Sequence, residues 1–300
     1  MNTRQYPRRL LSRAFREVYG RVWPRGLASY LYKKKFGRSI NWTHPRDLNE
    51  KINWLSFYSD TTEWTRLADK YRVRDYVTER GLADILVPLY GHWDRARDID
   101  WGSLPTQFVM KVNNGCGDVL ICDDKSKLDI ASQTKTFRAL LHKRFGLLSA
   151  EPHYLKIKPC IVAEALLDVT TQVGGSMVDY KIWCFDGKAE FILVCSERSR
   201  ERVALSVFDK DWNAHPEYQV YTAHYVKPTH EIVRPASFDR MFSAAEQLAA
   251  GFPEVRVDFY DVAGQLYFGE MTFTSCQGRM QYFSQDFLNI LGDMVALPTR

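Results

Sequence analysis

The chain has 300 residues, of which 45% are hydrophobic, 14% aromatic and 26% charged, a composition of an ordinary globular protein with one large domain or two modest ones. No stretch approaches eighteen apolar residues and the Arg-rich N-terminus lacks an apolar signal core, so neither a transmembrane helix nor a secretory signal is expected, and a cytoplasmic location is. The formal charge of +5 divides unevenly: residues 1–40 carry Arg4, Arg8, Arg9, Arg13, Arg16, Arg21, Arg25, Lys33, Lys34, Lys35 and Arg38 against Glu17 alone, which is +10, and the remainder is −5.

The basic end has a helical pattern. Leu10, Leu11, Ala14, Phe15, Val18 and Tyr19 recur at three and four until Pro24 interrupts, and a second helix is expected from Leu27 to Lys35. Such a face either rests on an anionic surface (membrane, acidic substrate or nucleic acid) or is simply the solvated side of a helix packed on its own domain. A helix capped by Asp47 or Asn49 follows, and TEWTRLADKYRVRDYVTERGL is predicted helical with Gly81 as its stop. The first ninety residues are therefore expected to be almost entirely helix, with Asp69 and Lys70 on a helix face.

After Pro88 the pattern turns to strands. Phe108–Val112 leads into Asn113-Asn114-Gly115-Cys116-Gly117, and Val119–Cys122 returns as its partner. A lysine at a strand end (Lys111) beside a loop with Gly115 and Gly117 suits an anion, because glycines let backbone N–H groups approach it; the sequence is not a Walker A loop, and a plain glycine hairpin is the alternative. A helix is predicted over Ile130–Phe145 and a strand over Cys160–Leu167 that delivers Glu164. Val178–Phe185 and Ala189–Cys195 flank Asp186-Gly187, a hairpin signal, with Asp179 and Lys181 on one face of the first strand. Val203–Phe208 extends that sheet, and Phe238–Ala250 is a helix.

The stretch VRVDFYDVAGQLYFGEMTFTSCQG, from Val255 to Gly278, carries the most chemistry. Val255, Val257 and Phe259 alternate with Arg256 and Asp258, and a second strand ends on Glu270. Paired as a hairpin through a connection of four or five residues, the strands bring Asp258 and Glu270 to one face. Two carboxylates that close repel unless a cation lies between them, and oxygen ligands of this kind suit magnesium; a solvated sheet face is the alternative. The six cysteines show no paired metal spacing and are expected to be small buried residues without bridges.

Taken in order, NEKINWL, LADKYRVRDYV, FVMKVNNGCGD, VDYKIWCFDGK and VRVDFYDVAGQLYFGEMTF resemble the ATP-grasp superfamily, and within it the branch named for teichuronopeptide biosynthesis, found in surface-polysaccharide gene clusters and often labelled glycosyltransferase. The resemblance spans about Asn41 to Leu297. It implies an α+β ATP-grasp fold whose mostly helical N-terminal region (1–90, basic at 1–40) reduces or replaces the usual Rossmann-like domain, followed by a small lobe at 91–159 and a large lobe at 160–300. It implies ATP and Mg2+ as cofactors. Lys70 and Lys111 would contact phosphates, Gly115 and Gly117 form the phosphate loop, Glu164 meet adenine and ribose, and Lys181 reach the terminal phosphates. Arg256 would steady the acyl group, and Asp258 and Glu270 hold magnesium, with Thr272 where the family's pattern has asparagine.

The implied reaction joins a carboxylate to an amine, with a uronic acid of a glycan and an amino acid as the partners suggested by the family's setting. A peripheral contact with the inner face of the membrane through the basic end is a further expectation, and no nucleic-acid partner is expected. A sugar-nucleotide glycosyltransferase using Asp209-Lys210-Asp211 as a metal motif is the alternative function, and a non-catalytic binding protein that keeps the fold is a third.

Overall fold

The computed structural model describes residues 5–168 and 176–299, with side chains from residue 13 onward; Arg4 and the side chains of Arg8, Arg9, Leu10 and Leu11, named above, lie outside the described residues. In chain order the elements are α1 (Gln5–Val22), α2 (Pro24–Phe36), α3 (Leu48–Tyr58), α4 (Thr62–Leu67), α5 (Val73–Glu79), β1 (Leu89–Trp93), β2 (Phe108–Val112), β3 (Val119–Cys122) and α6 (Ile130–Leu141). They continue with β4 (Ile161–Glu164), β5 (Asp179–Phe185), β6 (Lys188–Ser196), β7 (Val203–Asp209), β8 (Tyr225–Val226), α7 (Phe238–Ala249), β9 (Glu254–Val262), β10 (Gln265–Thr272) and α8 (Gln285–Met294).

Among the described residues ten strands form two sheets, one of four strands in the order β1-β4-β2-β3 and one of six in the order β10-β9-β5-β6-β7-β8. All pairings are antiparallel except β7 with β8, so the fold is α+β, as the hairpin signals imply. β4 is hydrogen-bonded between β1 and β2, so the four-stranded sheet continues past residue 159 to Glu164.

The helices α3, α4 and α5 pack into the core of the six-stranded sheet, whereas α2 is buried in a separate cluster with Ala150. Leu48, Ile52 and Leu55 of α3, Trp64 and Leu67 of α4 and Val73 and Val77 of α5 share one buried core with Ile182, Val257, Phe259 and Met271 of the six-stranded sheet. Their alternation at three and four turns one face to that core, and burying each large side chain contributes about 1.5–3 kcal/mol. A second core joins Phe108, Met110, Phe137 and Ile161 under the four-stranded sheet.

One helical expectation is corrected. Ala68–Arg72 is a turn between α4 and α5, so Asp69 and Lys70 do not lie on a helix face. The buried Asp69 carboxylate accepts from the backbone N–H of Tyr71 (2.9 Å) and Arg72 (3.2 Å), which ends one helix and starts the next. Elsewhere the predicted elements shorten: α6 stops at Leu141 and β4 at Glu164. Of the cysteines, Cys116 and Cys276 are exposed rather than buried, because both sit in loops; all six are free thiols.

Candidate functional site

Three adjacent strands of the six-stranded sheet bring the charged residues together. Lys181 of β5 pairs with Asp258 of β9, which pairs with Glu270 of β10, and the next row is Trp183, Arg256 and Thr272. A change of register makes this alignment. The β9–β10 turn has only two residues, Ala263 and Gly264, both at positive φ (53° and 84°), and its register sets Phe268 opposite Phe259. Continued without interruption it would place Gly269 opposite Asp258 and send Glu270 to the core face. A bulge between Phe268 and Glu270 shifts the register by one and returns Glu270 and Thr272 to the face of Asp258 and Arg256. Sequence parity therefore leads to the right face through the wrong connection, since a turn of two residues, not four or five, is compensated by the bulge.

Arg256 ties the two rows. Its Nε donates to Asp258 Oδ1 (2.6 Å), and Nη2 donates to Asp258 Oδ2 (2.8 Å), Glu270 Oε1 (3.3 Å) and Thr272 Oγ1 (3.1 Å). Nη1 reaches Ser275 Oγ (3.2 Å), and the guanidinium lies 5.6 Å from the Trp183 ring centroid. Lys181 Nζ donates to Asp258 Oδ2 (2.5 Å) and stands 3.5 Å from Asp179. Burial is the largest influence on the lysine and works to lower its pKa, but the Asp258 and Asp179 carboxylates together overcome it and the net shift is upward; Asp258 and Glu270 do the same for Arg256, which stays charged. Burial alone would raise Glu270, yet Lys70, then Arg256 and Lys181, bring it down to about 2. The row is thus fully ionised near neutral pH at these three groups.

The turn that carries Lys70 connects this row to the glycine loop. Lys70 N donates to Asn113 O (3.1 Å), Nζ donates to Gly115 O (2.6 Å), and the same ammonium is 3.7 Å from Glu270 Oε2. Asn113 holds the loop to the strand behind it, accepting from Cys160 N (2.8 Å) and donating to Lys158 O (3.0 Å). Gly117 closes the loop at φ 79°, a conformation that costs a residue with a Cβ and does not cost glycine.

Between the two sheets lies a cavity of about 860 Å3. Val109, Val119 and Ile121 of the four-stranded sheet and Phe268 of β10 give it apolar walls, and the chain leaving β4 from Glu164 to Asp168 lines one side. Val119 and Ile121 turn 48% and 66% of their surface outward, which the alternation of β3 explains as the cleft-facing side of a sheet whose other side is core. Lys111 and Glu164 are here joined rather than apart, Nζ to Oε2 at 2.5 Å. Arg74 of α5 adds a second cation at 3.2 Å from Glu164 Oε1 and also donates to Val87 O (2.9 Å). Sequence reasoning overlooks Arg74, whose tie to Glu164 crosses ninety residues, and Arg198, which lines the cavity and pairs with Asp179 at 2.6 Å. Spacing carries no signal for either.

Behind β10 a left-handed turn is clamped by α3. Cys276, Gln277 and Gly278 have φ of 45°, 62° and 60°. Asn49 exchanges two hydrogen bonds with the backbone of Met280 (2.9 and 2.8 Å), and Asn53 donates to Gly278 O (2.9 Å). This clamp fixes Ser275, and through it the far side of the Arg256 guanidinium.

Asp258, Glu270 and Thr272 present only oxygen donors on one face, the donor type a hard divalent cation takes, and Arg256, Lys181 and Lys70 hold those oxygens in this structure. Among the described residues no group of three or more His, Cys, Asp or Glu side chains is gathered to hold a metal, so an ion here would complete its shell with water or phosphate oxygens, as magnesium does. The alternative metal motif is spent locally. Asp209 accepts from Asp211 N (2.9 Å), Asn213 N (2.8 Å) and Asn213 Nδ2 (2.9 Å) and contacts His215 (3.3 Å), the bonding of a turn.

Comparison with known proteins yields a family and a set of folds. A family model described as TupA-like ATPgrasp matches residues 50–296. No curated protein matches. Among solved structures, a D-alanine--D-alanine ligase from Bacillus anthracis is 16% identical at a TM-score of 0.48, with 78% of this chain and 65% of that one covered. An L-amino acid ligase from Bacillus licheniformis is 15% identical at 0.43 (75% and 48% covered), and the ATP-grasp ligase PsnB complexed with minimal precursor, Mg and ADP is 11% identical at 0.42 (83% and 65%). The chain spans just under two thirds of the length of the first of these and about half of the second. Through the family match over residues 50–296, this chain belongs to the TupA-like ATPgrasp family.

Proposed function

We propose that the cleft binds Mg-ATP and activates a carboxylate for attack by an amine. The observation that carries this reading is the single chain of contacts from the glycine loop through Lys70 to Glu270, Arg256, Asp258 and Lys181, set beside an apolar cavity of about 860 Å3. Five cations (Lys70, Arg74, Lys111, Lys181 and Arg256) meet three carboxylates (Glu164, Asp258 and Glu270) there, a surplus of positive charge suited to a polyphosphate.

In this reading the base lies against Val109, Val119, Ile121 and Phe268, and Glu164 takes the ribose or the exocyclic amine. Lys70 and Lys111 hold the phosphates with the backbone of Gly115 and Gly117, and Lys181 reaches the terminal phosphate. Magnesium, held by Asp258 and Glu270 with Thr272 beside them, would neutralise charge on the transferred phosphoryl group. A carboxylate oxygen of the acid substrate attacks the γ-phosphorus as the bond to the bridging oxygen of ADP breaks; positioning and charge stabilisation by these side chains suffice, so no protein nucleophile is needed. Arg256 steadies the resulting acyl phosphate. The amine then attacks the acyl carbon, and phosphate departs with the oxygen that belonged to the carboxylate. The chain is proposed to divide into a helical N-terminal region at 1–90, a small lobe at 91–159 and a large lobe at 160–300.

The acid we propose is a uronic acid of a surface glycan or its precursor, and the amine an amino acid, both from the setting of the family the sequence resembles. Incubation with Mg-ATP and panels of uronic acids and amino acids should release ADP and phosphate only when an acid acceptor is present, and Glu270→Gln should abolish that release. Turnover of a sugar nucleotide with no ATP consumed would sink the ligase reading.

A further inference from the structure

The two N-terminal helices present a face whose chemistry the cleft does not use. Five of the twelve large hydrophobic side chains exposed among the described residues fall between Phe15 and Tyr30: Phe15 at 47%, Val18 at 62%, Val22 at 78%, Trp23 at 50% and Tyr30 at 40%. They form one patch. Phe15, Val18 and Val22 lie along one stripe of α1, and the Phe15 ring packs edge-on against Tyr30 of α2 at 5.5 Å.

The opposite side of the pair is anchored. Arg16 donates through Nε and Nη2 to Leu148 O (3.2 and 2.7 Å), Gly20 is buried against Leu147, and Leu27 and Ala28 are buried with Ala150. The outward face is therefore carried on helices whose other side is tied to the body of the protein at Arg16, Gly20, Leu27 and Ala28.

Cations surround the patch. Arg13, Arg21, Arg25, Lys33, Lys34 and Lys35 are exposed, and residues 1–40 carry +10. A second copy of this chain docking face to face would set two such charges against each other. A nucleic-acid backbone would satisfy the cations but offer nothing to Val18 and Val22. An anionic bilayer answers both, since its headgroups attract Lys and Arg within a Debye length and its acyl boundary takes the aliphatic and aromatic side chains. We propose that α1 and α2 form a membrane-docking face that seats the protein on anionic phospholipid, independently of what the cleft binds.

The test is sedimentation of the full chain with vesicles of phosphatidylcholine, with and without phosphatidylglycerol. The protein should pellet with the anionic vesicles and stay in solution with the neutral ones, and added salt should weaken binding. Val18→Ser/Val22→Ser and, separately, Lys33→Glu/Lys34→Glu/Lys35→Glu should each reduce binding at least ten-fold while leaving the circular dichroism and the thermal midpoint unchanged. Equal binding to both vesicle types, no binding to either, or variants that bind like the parent would overturn the proposal. So would a dimer abolished by Val18→Ser/Val22→Ser, or a preference for double-stranded DNA over vesicles, either of which would give the face to another partner.

Discussion

Replacing Arg256 by leucine removes five hydrogen bonds and the main counter-charge of Asp258, which is 2% exposed. Removing one partner of a buried ion pair costs about 3–5 kcal/mol, because the remaining charge is left without compensation. Lys181 stays 2.5 Å from Asp258 Oδ2, which puts the loss near the lower end, about 3 kcal/mol. Adding Asp258→Asn removes the orphaned charge and should restore about 1–2 kcal/mol, so the pair of substitutions should be less harmful together than their sum. Urea unfolding of the parent, both single variants and the double variant gives the coupling directly. ADP release should be lost in all three variants, which separates the stability of the row from its chemistry. If Arg256→Leu and Asp258→Asn add without coupling, Arg256 does not neutralise Asp258, and the row is not a charge-balanced unit.

Gly278→Ala should destabilise by about 2 kcal/mol or more, since φ of 60° strains a residue with a Cβ and that carbon would collide with Asn53; thermal unfolding measures it. The His153 ring is buried, has no hydrogen-bond partner among the described residues, and burial lowers its pKa from 6.5 to about 3. The unfolded chain takes up that proton below pH 6.5 and the folded chain does not, so the contribution is complete above pH 6.5 and falls by up to about 1.4 kcal/mol per pH unit as pH drops from 6.5 toward about 3. His153→Phe should flatten the dependence between pH 6.5 and 4 in urea titrations, and parallel curves for the two proteins would contradict the assignment. Asp209→Ala should cost about 1–3 kcal/mol through the lost turn and leave metal-dependent ADP release intact, whereas loss of activity in a stable variant would revive a metal role for this aspartate.

Much of the fold is legible because its signals are local. Asp186-Gly187 adopts two successive positive φ values between β5 and β6, as a two-residue hairpin requires, and β2, the glycine loop and β3 fall where alternation places them. The break at Asp69 is not legible: LADKYRVRDYV holds neither glycine nor proline, and the cap that ends α4 depends on an aspartate buried by distant elements. Nor does any local pattern announce the bulge at Gly269, although a glycine inside a strand is the one available hint. The residue types of the candidate site stand in the sequence in order. Its wiring, Lys111 and Arg74 on Glu164 and Asn53 on Gly278, spans from 53 to 225 residues of sequence, and only the folded chain brings those groups within reach.

A carboxylate activated as an acyl phosphate in the cleft between the two sheets would pass one of its oxygens to the phosphate released. The most direct measurement supplies the acid substrate with 18O in its carboxylate, together with Mg-ATP and the amine, and reads the phosphate released by mass spectrometry. One labelled oxygen in each phosphate formed is the predicted result. Phosphate without label, alongside product formation, would contradict it.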